Sequence, residues 1–60
     1  MKKLELILKK EKRSATWLAG ETGKSAATVL RYVGDTKSPT IKWVIKAAEV
    51  LRVEVKDIID

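Results

Sequence analysis

Apolar residues recur along much of the chain with the 3.6-residue period of helices that bury one side. In the segment 3–12, Leu4, Ile7 and Leu8 follow the i, i+3, i+4 spacing and lysines lie opposite them. This spacing predicts a first helix over these residues, with Leu6 outside its apolar stripe.

Serine and glycine positions define two short helices in the middle of the chain. Ser14 is suited to cap a second helix over 15–22, because its hydroxyl can accept from an amide of the first turn. Gly23 is predicted to end this helix in the left-handed conformation that glycine adopts readily. Ser25 caps a third helix over 26–33, only two residues beyond Gly23.

The fourth helix has the clearest apolar stripe. Thr40 caps it, after a loop over 34–39 that is rich in small and polar residues. The stripe predicted to face the core is Ile41, Val44, Ile45, Ala48 and Leu51. One last turn over 55–59 is expected to bring Ile58 and Ile59 to the core. The two tryptophans are expected to pack in the core or at its boundary, with Trp43 half exposed.

Length and composition exclude several classes of function. Sixty residues form one domain at most, and the chain contains no cysteine and no histidine. Disulfides, thiolate metal sites and the usual nucleophile–base pairs are therefore ruled out. We expect no enzyme activity, no cofactor and no small-molecule substrate.

Charge points to an anionic partner. The chain has 13 basic and 8 acidic residues, a net charge of +5. Such an excess concentrates polyanions around a small domain, so nucleic acid, anionic lipid and acidic proteins are candidates. No run approaches the roughly 18 apolar residues of a membrane span, and the first residues lack the cleavage site of a signal peptide. We expect a cytoplasmic protein that is not secreted and has no membrane partner.

Two short helices joined by a turn of about three residues that contains glycine are typical of a helix-turn-helix. The sequence from Ser14 to Ile59 resembles the phage lambda repressor and Cro-like (XRE-type) helix-turn-helix family. The residues that carry the resemblance are Trp17-Leu18-Ala19, Gly23-Lys24-Ser25, Thr28-Val29, Ser38-Pro39-Thr40-Ile41, Ala48, Leu51-Arg52-Val53 and Ile58-Ile59. The resemblance implies a compact all-α, five-helix bundle whose third helix binds DNA, usually as a homodimer. The alanine-rich third helix leaves open whether the chain is a natural or a designed member.

The third helix is the candidate for base recognition in duplex DNA. At about 100° per residue, Val29, Tyr32 and Val33 face the body of the protein and the opposite side faces outward. The expected base contacts are Ala26, Ala27, Thr28, Leu30 and Arg31. An arginine can bond guanine O6 and N7 together, and small apolar side chains can contact thymine methyl groups. The alternatives are a solvated arginine or a phosphate contact, and alanines present only as good helix formers.

Phosphate contacts are expected on both sides of that helix. Helix N-termini attract phosphate through unpaired amides and the helix dipole, and basic residues lie close to them in the sequence. The expected phosphate contacts are Arg13, Ser14, Lys24, Ser25, Thr36, Lys37, Ser38, Thr40 and Lys42.

Two other functions remain open at the level of sequence. The Ala26/Ala27/Leu30 patch could instead bind another protein, on the same fold. The segment 2–12 could lie on a membrane surface, although it is short for that role.

Overall fold

Four α-helices and one short 3₁₀ turn make up the described part of the chain. The computed structural model describes residues 1–59, and its helices are α1 (Lys2–Lys10), α2 (Ala15–Thr22), α3 (Ala26–Val33) and α4 (Ile41–Leu51). The expectation of an all-α domain is confirmed for these residues. The expectation of five helices is wrong, because Val55–Asp57 closes as a single turn, with Ile58 N–H bonded to Val55 C=O at 3.1 Å.

Side-chain caps fix where three of the helices begin. Ser14 Oγ accepts from Trp17 N–H at 3.0 Å, and Thr40 Oγ1 accepts from Trp43 N–H at 3.2 Å. Ser25 serves α3 in the same way. Each bond satisfies an amide that has no partner within its own helix. The predicted bounds of α2 and α3 and the predicted start of α4 are confirmed.

The first helix is shorter than predicted. It ends at Lys10, since Lys12 adopts a left-handed φ of 56° and Arg13 N–H turns back to Leu8 C=O at 2.8 Å. Leu4 and Leu8 are buried as expected, and Leu6 lies outside the stripe with 54% of its surface exposed.

All four helices contribute side chains to one core. α2 packs against both α3 and α4, α1 packs against α3, and the 3₁₀ turn packs against α4. The buried residues are Met1, Leu4, Leu8, Leu18, Ala19, Val29, Tyr32, Trp43, Val44, Ala47, Ala48 and Ile58. Ile58 closes the core as predicted, but Ile59 remains exposed.

The inward side of α4 differs from the predicted stripe. Ile41 is 64% exposed and Ile45 is 45% exposed, whereas Trp43 and Ala47 are buried beside the predicted Val44. The expectation of a half-exposed Trp43 is also wrong. Its ring packs on Tyr32 with centroids 4.7 Å apart, and its Nε1 donates to a threonine of α2. These contacts rotate the helix so that the tryptophan faces inward and the isoleucines face outward.

The C-terminal end of α3 is held by two chain segments. The α-ammonium of Met1 donates to Val33 C=O at 3.1 Å and pairs with the carboxylate of Asp35. A positive charge is favourable at this end of a helix. Thr36 N–H donates to Arg31 C=O at 3.0 Å, which folds the following loop back onto the helix.

Candidate functional site

A three-residue corner, residues 23–25, joins α2 to α3 and sets the position of α3. Gly23 adopts φ 72° and ψ 26°, and its N–H donates to Ala19 C=O at the end of α2. Lys24 N–H donates to the same carbonyl at 3.0 Å. Leu18 on α2 and Val29 on α3 are fully buried, and Ala19 is a small buried residue on the same helix. The corner therefore places α3 against α2, with one of its sides left to solvent.

The solvent side of α3 carries three of the predicted base-contacting residues. Ala27 and Arg31 are exposed, and Leu30 is 57% exposed. The residues predicted to face the body, Val29 and Tyr32, are buried. The predicted orientation of α3 is confirmed for these positions.

Ala26 does not belong to that outward side. It is half buried and packs against the core. Ala26 precedes the buried Val29 by three residues, a rotation of about 300° around the helix axis. Their side chains therefore point in directions only about 60° apart. The expectation that Ala26 faces outward with Ala27 is wrong.

The hydroxyl groups at the start of α3 bond to each other. Ser25 Oγ accepts from Thr28 N–H at 3.2 Å and lies 2.8 Å from Thr28 Oγ1. Thr28 is also half buried. These oxygens are therefore engaged in the helix cap, and contacts with DNA from either residue remain predictions.

Unlike the hydroxyls of Ser25 and Thr28, the guanidinium of Arg31 makes no hydrogen bond or ion pair with residues 1–59. The loop that follows α3 lies next to the same residue. Thr36 Oγ1 donates to Arg31 C=O at 3.4 Å, and Lys37 N–H donates to it at 3.4 Å. The structure thus holds the loop over 34–39, which carries the predicted phosphate contacts Thr36, Lys37 and Ser38, at the C-terminal half of α3.

All nine predicted phosphate contacts lie on the surface. Those that the structure exposes are Arg13, Ser14, Lys24, Ser25, Thr36, Lys37, Ser38, Thr40 and Lys42. Ser14, Ser25 and Thr40 each cap a helix, so their side chains already accept one backbone amide.

The contact between Arg13 and Trp17 was not predicted from the sequence. The guanidinium carbon lies 4.6 Å from the centre of the indole ring, within the range of a cation–π interaction. The i, i+4 spacing of a cation and an aromatic residue could have indicated it. Because the arginine covers the tryptophan, part of its side chain serves packing rather than a free phosphate contact.

A shallow groove beside this pair does not have the character of a ligand site. Its lining includes Arg13, Trp17, Leu51 and Arg52 together with the carboxylate of Glu11. The charges are of both signs, and the residues 1–59 bury no charged or polar side chain that could orient a ligand there. In the same range, no group of acidic side chains is arranged to hold a metal ion.

Comparisons with protein-family models, with curated proteins and with solved structures find no match for this chain. No helix within residues 1–59 combines the length and the apolar character that crossing a bilayer requires. The function is therefore inferred from the geometry and charge of the chain's own residues.

Proposed function

We propose that this chain is a helix-turn-helix domain that binds double-stranded DNA, with α2 and α3 as the two helices of the motif and α3 in the major groove. One observation carries the proposal: the corner at Gly23 leaves Ala27, Leu30 and Arg31 on the solvent side of α3. An α-helix with its side chains is about 10–12 Å across, which suits the roughly 12 Å width of that groove.

The character of that surface supports the proposal. It carries the Arg31 guanidinium, which has no partner within residues 1–59, and small or branched apolar groups, and the residues 27, 30 and 31 include no carboxylate that would repel phosphate. Lys24 precedes α3 and Lys37 follows it, both exposed. With a net charge of +5 on a body of 22 × 22 × 18 Å, duplex DNA is attracted at long range.

The test is binding of the whole chain to a random-sequence duplex library, measured by fluorescence anisotropy or gel shift at several salt concentrations. DNA binding predicts that affinity falls steeply with salt, since each phosphate contact releases about 0.9 of a counterion. Selection and sequencing of the bound duplexes then gives the preferred site, and a palindrome would indicate two copies on one site.

Two matched variants locate the interface. Ala27→Glu and Leu6→Glu both place a carboxylate at an exposed helical position and both lower the net charge from +5 to +4. Only Ala27→Glu lies on α3, so it should abolish binding, whereas Leu6→Glu on α1 should weaken it slightly. Equal losses would contradict α3 as the DNA-binding helix.

A second candidate function is protein association on the same fold. Ile41 and Ile45 are exposed one turn apart on α4, in addition to Leu30 on α3. Two exposed apolar residues one helical turn apart, such as Ile41 and Ile45, can mark a protein interface, including one between two copies of the chain. Sedimentation of the chain and of Ile45→Glu tests this: association that is insensitive to salt and lost in the variant would favour it.

A further inference from the structure

The exposed side of α3 offers few hydrogen-bond donors for a helix proposed to recognise bases. The hydroxyls of Ser25 and Thr28 are 2.8 Å apart and engaged in the helix cap. Ala27 and Leu30 have no polar side-chain atoms. Arg31 is the strong donor on this side, and its neighbour Leu30 is 57% exposed.

An exposed leucine in the major groove has a restricted choice of favourable neighbours. The base edges there present hydrogen-bond acceptors and donors, and covering one of these with an apolar side chain costs free energy because the lost water is not replaced. The exception is thymine, whose C5 methyl group is an apolar group that an A·T pair presents in this groove and a G·C pair does not. The same group occurs at C5 of 5-methylcytosine.

We propose that Leu30, on the exposed side of α3, selects duplex sites by the 5-methyl group of a pyrimidine, whether the base is thymine or 5-methylcytosine. This inference rests on the proposed function and specifies the DNA that the same site prefers. Arg31, one residue beyond Leu30, supplies the polar contact, and the basic residues on either side of α3 hold the phosphates.

The experiment uses the whole chain and a duplex obtained by selection from a random library. In that duplex each thymine is replaced singly by deoxyuridine, which removes the 5-methyl group and leaves every hydrogen-bonding atom in place. We expect at least one position where affinity falls about four-fold, the factor that corresponds to burial of one methyl group at about 0.8 kcal/mol.

Two variants assign that loss to Leu30. In Leu30→Ala, the duplexes with thymine and with deoxyuridine at the sensitive position should bind equally. In Leu6→Ala, which removes an equally exposed leucine from α1, the four-fold difference should persist. At the same position, a pair with 5-methylcytosine should bind more tightly than the pair with cytosine, by a similar factor.

The outcomes separate the inference from the proposed function. A selected site without thymine, a duplex insensitive to deoxyuridine, or a loss that persists in Leu30→Ala would overturn the methyl selection while DNA binding stands. A chain that selects no duplex, and whose weak binding does not respond to salt, would overturn both.

Discussion

The indole Nε1 of Trp43 on α4 donates to Oγ1 of Thr22 on α2 at 3.0 Å. The same hydroxyl donates to Leu18 C=O at 2.8 Å, so it accepts from one helix and donates within the other. The indole ring is buried against Tyr32 of α3. One threonine thereby links α2 to the tryptophan of α4, whose ring also contacts α3.

Removing that hydroxyl should destabilise the whole domain. In Thr22→Val the side chain keeps its shape, but the buried indole N–H loses its acceptor, at a cost of about 1–3 kcal/mol. Thermal unfolding followed by circular dichroism should show a fall in Tm of roughly 4–8 °C for each kcal/mol. Thr22→Ser retains the hydroxyl and is the control. A Thr22→Val protein as stable as the original would show that the bond contributes nothing.

Substitution by alanine should change the free energy of unfolding in opposite directions at Gly20, which lies within α2, and at Gly23, which is its C-cap. Gly23 has a left-handed φ of 72°, and a Cβ there would meet no atom within 4 Å, so the cost of Gly23→Ala is backbone strain of about 1 kcal/mol. Gly20 lies inside α2, also in open space, and Gly20→Ala should stabilise by up to about 1 kcal/mol. Urea denaturation of both variants measures the two changes. A Gly23→Ala protein as stable as the original would contradict the assignment of the helix end, and a Gly20→Ala protein that loses stability would contradict the open space around Gly20.

The inward side of α4 can be tested with two variants of that helix. Val44→Ala removes a buried side chain and should cost about 2 kcal/mol. Ile41→Ala removes a larger side chain that is exposed, and should change the free energy of unfolding by less than about 0.5 kcal/mol. Denaturant titration gives both values. The reverse ranking would support the apolar stripe as the sequence alone predicts it.

The bounds of α2 and α3 and the start of α4 were predictable because local chemistry determines them. The hydroxyls of Ser14, Ser25 and Thr40 each accept from the backbone amide three residues further on, and Gly23 tolerates the backbone conformation that ends a helix. These effects involve neighbours in sequence, so these positions follow from the residues.

The orientation of α4 was not predictable in the same way. Apolar periodicity gives the same weight to Ile41 and to Val44, whereas burial is decided by partners on other helices. Trp43 faces inward because Thr22 and Tyr32 meet it there, and both are distant in sequence. The candidate site differs, because its unpredicted contacts are local: the hydroxyls of Ser25 and Thr28 lie 2.8 Å apart, and Arg13 covers Trp17 at an i, i+4 spacing that could have indicated the contact.

The exposed guanidinium of Arg31 should set preference at one base pair. Arg31→Ala removes a group that can bond guanine bidentately, so discrimination at that position should fall by about 1–3 kcal/mol while the fold stays intact. Binding to duplexes that carry each of the four base pairs there, in turn, measures the change. Circular dichroism controls for folding. An equal loss of affinity for all four duplexes would identify Arg31 as a phosphate contact instead.

Lys37 should act on all DNA sequences alike. The backbone of its loop is bonded to Arg31 C=O through the N–H groups of Thr36 and of Lys37 itself, so its exposed side chain starts near the C-terminal end of α3. Lys37→Ala should weaken binding uniformly and lower the slope of log affinity against log salt by about 0.9, the contribution of one phosphate. Lys56→Ala removes the same charge from the 3₁₀ turn, where it pairs with Glu54, and should leave the slope unchanged. If the two variants give the same slope, the lysine of the loop contributes only to the overall charge.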